Sequence, residues 1–189
     1  PTTTRVVQIL VAANTAPGVY QLRVTPTTNG CVGPPLLIPF RVDPPPPAQA
    51  TSITGPAVVC VGNISAYSVA AIPNATSYAW TITPPLPPAP APLTGNGTRN
   101  IQVNWSAATP GTYTIEVTAS NTCGTSPVQN LIITVGDVPA QPAPISTPPF
   151  HCSGTVRSYS VPPVATALSY IWSNSCTGWS GTSTTNVIN

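Results

Sequence analysis

The sequence predicts an all-β protein built of immunoglobulin-like β-sandwiches in tandem, with about 92 residues to a repeat. Three observations predict it: an internal repeat, runs that alternate apolar and polar residues, and turn residues that punctuate those runs. The repeat is gapless from Pro47–Trp80 to Pro139–Trp172 at a constant offset of 92. It matches Ile53 with Ile145, Cys60 with Cys152, Gly62 with Gly154, Tyr67-Ser68-Val69 with Tyr159-Ser160-Val161, and Trp80 with Trp172. The other half repeats at offsets of 92–94, with Arg5 on Arg99, Tyr20 on Tyr113, Cys31 on Cys123 and Val42 on Val135.

This register divides the chain. Residues 1–43 read as the C-terminal half of one unit, 47–136 as a complete unit, and 139–189 as the N-terminal half of a third. Residues 44–46 form a proline linker and 137–138 a second, shorter one. Consecutive prolines favour an extended, semi-rigid connection. The two end pieces together have about the length of one more repeat. The expected body is a stiff string of beads, a window cut from a longer array.

Within the complete unit each strand is expected from period-two alternation. Tyr67 and Val69 share a face, as do Tyr78, Trp80 and Ile82. Ile101, Val103 and Trp105 share another, followed by Tyr113, Ile115 and Val117, then Leu131, Ile133 and Val135. Turns are expected at Gly95-Asn96-Gly97, at Pro110-Gly111 and from Asn121 to Gly124. No window has a helical period. About seven short strands in one unit suit two packed antiparallel sheets with alternate side chains buried between them.

Composition excludes several functions. Only 4% of residues are charged, the basic ones are five Arg, and there is no Lys. Nucleic-acid binding needs clustered cations to neutralise phosphates, so it is excluded. A polybasic membrane surface fails for the same reason, and no apolar run approaches the length of a membrane span. Asp43, Glu116 and Asp137 are too scattered for paired-carboxylate chemistry. The lone His151 has Val59 at its place in the complete unit, so no catalytic triad is expected. No metal site or cofactor is expected either, because each linker offers a single acid and no CxxC occurs.

The cysteines and two aromatics are the remaining candidate site residues. Cys60 and Cys123 are expected to pair within the complete unit. Such a bond would stabilise by about 4 kcal/mol on the chain-entropy picture and place the protein in an oxidising compartment. Cys31 and Cys152 are the matching orphans, expected to pair with the missing halves or with a neighbouring copy stacked head to tail. Cys176 has no counterpart. Core packing is the reading for most of the aromatic stripe. Trp179, in the Gly/Ser-rich run after Cys176, is a candidate binding aromatic for a glycan or other surface ligand. Tyr78 and the proline-rich loop at 84–92 are weaker candidates of the same kind.

One family shares these motifs. The complete unit carries C-x-G-x4-Y-S-V from Cys60, S-Y-x-W from Ser77, I-x-V-x-W from Ile101, P-G-x-Y-x-I-x-V from Pro110 and N-x-C-G-T-S from Asn121. This pattern resembles the PKD-like, immunoglobulin-like repeats of giant secreted surface proteins and adhesins of Bacteroidota, including gliding-motility adhesins. The first unit departs from it, with Asn29-Gly30-Cys31-Val32-Gly33 at the last motif. The resemblance implies an extracellular, stalk-like or adhesive role and carries over no catalytic residue. The expected function is therefore a non-catalytic structural segment of an extracellular filament or adhesin stalk, its partners being neighbouring repeats or copies. A glycan- or surface-binding module, and repeats accessory to a secreted hydrolase, stand as alternatives.

Overall fold

The structure, a computed structural model, describes residues 6–84, 86, 93–145, 154–155, 157–173 and 183–188. All regular structure among them is β. In the first unit, β1 (Gly18–Val24) runs antiparallel to a later strand through a small hairpin. That hairpin pairs β2 (Thr27–Thr28) with β3 (Cys31–Val32) across Asn29 and Gly30, whose φ values are 47° and 83°. Asn-Gly adopts this left-handed pair readily, and such a turn matches the twist of the strands. The later strand is β4 (Leu36–Val42), with Gly18 opposite Val42 and Val24 opposite Leu36.

The described residues of the complete unit form nine strands where about seven were expected. They are β5 (Ile53–Thr54), β6 (Val58–Cys60), β7 (Ile64–Val69), β8 (Ser77–Thr83) and β9 (Leu93–Thr94), then β10 (Asn100–Asn104), β11 (Gly111–Asn121), β12 (Gly124–Thr125) and β13 (Gln129–Gly136). The surplus comes from two-residue strands too short to show alternation. One sheet has the order β5-β7-β10-β9. The other has the order β12-β11-β13-β6, with β8 on the opposite edge of β11. Among the described residues every pairing in the unit is antiparallel except β6 with β13, which is parallel and sets Cys60 beside Gly136.

The alternating residues bury as the pattern requires. Tyr67, Val69, Ile101 and Val103 from one sheet meet Tyr78, Trp80, Tyr113, Ile115, Val117, Ile133 and Val135 from the other. Trp105 lies at the centre, edge-on to Tyr67 at 6.5 Å and to Tyr113 at 5.5 Å between ring centroids. Edge-to-face contact aligns the positive rim of one ring with the negative face of another. The Tyr113 hydroxyl donates to the Thr109 carbonyl at 3.1 Å and accepts from the Thr109 amide at 3.1 Å. This is a tyrosine corner, which satisfies a buried hydroxyl and fixes entry into β11. Every residue of the cluster lies between Ala50 and Val135, so residues 47–136 carry a complete core of their own.

The flanking pieces reproduce the geometry of this unit. The β1/β4 register of Gly18 with Val42 repeats that of Gly111 with Val135. The corner returns too, with Tyr20 donating to the Ala16 carbonyl at 2.7 Å. At the other end β14 (Tyr159–Ser160) pairs with β15 (Val187–Ile188), as β7 pairs with β10. The Trp172 indole donates to the Thr185 carbonyl at 2.9 Å, as Trp80 donates to that of Thr98 at 2.9 Å. Val164 N–H donates to the Tyr170 hydroxyl, as Ile72 N–H donates to that of Tyr78. Thr185 therefore stands where Thr98 does, so the connection after Trp172 is five residues shorter than the one after Trp80.

What the end pieces lack is cover. Ile101, Val103 and Val117 are 2%, 0% and 1% exposed, whereas their counterparts Val7, Ile9 and Val24 are 68%, 51% and 46% exposed. Residues 6–11 form no ladder. Their counterpart β10 is held between β7 and β9, and neither neighbour has an equivalent in residues 1–43.

Trp105→Ala in residues 47–136 is expected to cost about 3–5 kcal/mol, the usual range for removing a buried aromatic, read from urea unfolding. Burial pushes the Tyr67 phenol above its ordinary value of 10.0, with Ser65 pulling the other way. A phenol that holds its proton more tightly when folded stabilises fully below its unfolded value. Stability should therefore fall as pH rises above about 10 through the folded value, and Tyr67→Phe should flatten that fall in a pH series of unfolding midpoints.

Candidate functional site

The residues that make specific contacts across a boundary lie at the junction between units. Strand β11 ends at Asn121, and the turn Asn121–Gly124 leads into β12. Asn121 works in two directions. Its side-chain oxygen accepts from the Cys123 amide at 2.8 Å and the Gly124 amide at 3.2 Å, closing the turn. Its amide nitrogen donates to the carbonyls of Pro45 at 2.7 Å and Pro44 at 3.4 Å. Proline has no N–H to offer, so the backbone of the proline run can take hydrogen bonds only at its carbonyls.

Contacts on either side extend this seat. The Thr122 hydroxyl donates to Asp43 Oδ2 at 3.2 Å, and the other oxygen of Asp43 pairs with Arg41. A Cβ added to Gly124, whose φ is 152°, would lie 3.0 Å from the Pro46 ring. Glycine therefore lets the linker approach closely. Further along, Gln49 Nε2 donates to the Val128 carbonyl at 2.6 Å. The linker is thus docked along the edge of the complete unit from Asp43 to Gln49. At the next linker, Asp137 accepts from the Val138 amide at 3.0 Å.

The cysteines correct the expected pairing. Cys31, Cys60 and Cys123 are all exposed free thiols. Cys60 closes β6 beside Gly136, where the chain leaves the unit. Cys123 lies in the turn beyond Asn121, where the chain enters it. Between those ends runs β11, eleven residues long. An extended strand of that length covers roughly 34 Å. A disulfide tolerates about 4.4–6.8 Å between Cα atoms, so Cys60 and Cys123 cannot pair within one unit. Cys31 occupies the position of Cys123, so the same bar applies to a pairing inside its own unit, whether completed by missing halves or by a stacked copy. Cys152 and Cys176 lie outside the described residues.

Tyr78 is also corrected. It is 8% exposed and its hydroxyl accepts from the Ile72 amide, so it is a core residue and no binding aromatic. Trp179 and His151 lie outside the described residues, as does most of the 84–92 loop. Of that loop, Leu86 packs into the core. An open depression of about 540 Å³ is lined by Tyr170, Ile171, Trp172, Ser183 and Thr184. It lies along the segment equivalent to β8, which in the complete unit pairs with β11. Among the described residues no three His, Cys, Asp or Glu side chains cluster as metal ligands.

The sequence profile of the PKD-like domain matches residues 46–133 and again 138–189. The chain belongs to the PKD-like domain family. The two PKD-like matches meet at the second linker, which the repeat places at 137–138. In fold, the chain is similar to the full ectodomain (Ig1–Ig3) of mouse nectin-like molecule 4, at 16% identity and a TM-score of 0.35, over 66% of this chain and 56% of that one. It is also similar to the chicken CNTN1 FN1–FN3 domains, at 16% identity and a TM-score of 0.33, over 78% of this chain and 52% of that one. The chain thus spans about half the length of each. No curated protein matches it. No helix of the described residues is long and apolar enough to cross a membrane.

Asn121→Ala should loosen the seat of the PKD-like unit. Losing hydrogen bonds worth about 1 kcal/mol each, it is expected to cost about 1–2 kcal/mol in urea unfolding. Hydrogen exchange at the Cys123 and Gly124 amides should quicken at the same time. Cys31, Cys60 and Cys123 should all react with a maleimide in the native chain, read by mass spectrometry before and after denaturation.

Proposed function

We propose that this chain is a spacer: a run of PKD-like units that holds some other element away from a surface, without catalysis. The observation that carries this reading is the docked linker. The preceding segment is hydrogen-bonded to the entry end of the complete unit through Asp43, Pro44 and Pro45, and the chain leaves at the far end through Gly136. Entry and exit at opposite ends make an array that grows in length with each unit. A docked linker also limits the angle between neighbours more than a free one would.

The surface chemistry supports the same reading. With 4% charged residues, solubility rests on Thr, Ser, Asn and Gln. Such a surface responds little to ionic strength. Five Arg and no Lys leave few sites for trypsin-like proteases. These are useful properties outside a cell. An extracellular or cell-surface location, the adhesin-stalk role and the Bacteroidota resemblance belong to this proposal. So do the half-units at 1–43 and 139–189 and their completion by adjoining repeats or by further copies head to tail. The exposed Val7, Ile9 and Val24 favour such completion, because their counterparts are core residues.

Rotary-shadowed or negative-stain microscopy of arrays of two, three and four complete repeats tests the spacer. Each repeat should lengthen the particle by roughly 34 Å, the span of an eleven-residue strand. Particles that stay compact as repeats are added would overturn it.

A further inference from the structure

We infer that the repeat-equivalent cysteines of this chain form a disulfide between consecutive repeats, joining the Cys60 position of one unit to the Cys123 position of the next. The inference rests on the reading of the chain as tandem repeats and adds a covalent lock to each junction.

The described junction supplies the geometry. Val42 pairs with Gly18 as Val135 pairs with Gly111, so Asp43 stands where Gly136 stands in the complete unit. In that unit the register partner of Gly136 is Cys60, and the Gly136 carbonyl accepts from the Val61 amide at 3.0 Å. The Cys60 position of the preceding unit therefore lies one strand spacing, about 4.8 Å, from Asp43. Asp43 also accepts from Thr122 at 3.2 Å, and Thr122 is bonded to Cys123. Both thiols thus border one residue, and the bond requires the junction to hold their Cα atoms within about 4.4–6.8 Å. Val59 points into the core and Cys60 away from it, while Cys123 is exposed in its turn. Neither side chain is needed for packing. In this pairing the partner of Cys60 belongs to the following repeat and that of Cys123 to the preceding one.

The chemistry is thiol–disulfide exchange with a disulfide oxidant. The Cys60 and Cys123 thiols give up two protons and two electrons and form one S–S bond. The oxidant's S–S bond breaks, takes up both protons and both electrons, and leaves as two thiols. Cys31, which stands at the Cys123 position of the first unit, would pair in the same way with the unit before it.

The test uses a tandem of the complete repeat, since residues 47–136 carry their own core. Residues 47–135 are joined directly to residues 43–136, which places Asp43 after Val135 as it follows Val42 in the chain. Oxidised glutathione is the oxidant, and peptide mass mapping reads the bonds. One cystine is expected, between Cys60 of the first copy and Cys123 of the second, leaving two of the four thiols free. Cys60→Ser in the first copy or Cys123→Ser in the second should abolish it. Cys123→Ser in the first copy or Cys60→Ser in the second should leave it intact. Four free thiols, a bond within one copy, or bonds only between molecules would each overturn the inference. Particle length, measured on the same tandem when reduced, is independent of the bond. A compact reduced tandem sinks the spacer reading, and an extended one without the cystine sinks only the pairing.

Discussion

Strand β11 is the constraint on which the rest depends. It is hydrogen-bonded along one edge to β8 and along the other to β13 and β12. Its inward side chains, Tyr113, Ile115, Val117 and Ala119, line the centre of the core. A shift of one residue would turn all four to solvent. The corner made by Tyr113 with Thr109 blocks that shift at its start, and Asn121 fixes the turn at its end. Both devices flank the strand directly, so register and junction are set by the same stretch of chain.

The junction follows from that arrangement. A linker of consecutive prolines is stiff but has few ways to bind. Asn121 meets this by donating to carbonyls with one side-chain atom while the other atom accepts from its own turn. Little charge is involved beyond Asp43, which accepts from Thr122 and pairs with Arg41. The contact is made mainly of neutral hydrogen bonds, so it is largely insensitive to screening by salt.

Much of this was legible in the sequence. The repeat and the alternation of Tyr67, Tyr78, Trp80, Val103 and Tyr113 gave the all-β immunoglobulin-like fold, because period-two burial is written directly into residue order. The placement of Tyr78 was half legible: the stripe marked it as core, yet its phenol invited a binding role until Ile72 was seen to satisfy it. The cysteine geometry was not legible. Sequence separation says how far apart two residues are along the chain but not which end of a sandwich each occupies. That depends on β6 running parallel to β13, a pairing without a local signature in Val58-Val59-Cys60. The turn residues Asn121-Thr122-Cys123-Gly124 did signal a turn, whereas their grip on the linker depends on contacts across 76 and more positions.

The parallel pair has a mechanical consequence. Strand β6 comes early in the sequence of the complete unit and β13 runs directly to its exit. Tension applied to the two ends would draw these neighbours in opposite directions along their common axis. The pairs Thr134 with Val58, Val135 with Val59 and Gly136 with Cys60 would then be loaded in shear and have to yield together, instead of unzipping one at a time. A small patch of backbone thus becomes the force-bearing clamp of the complete unit.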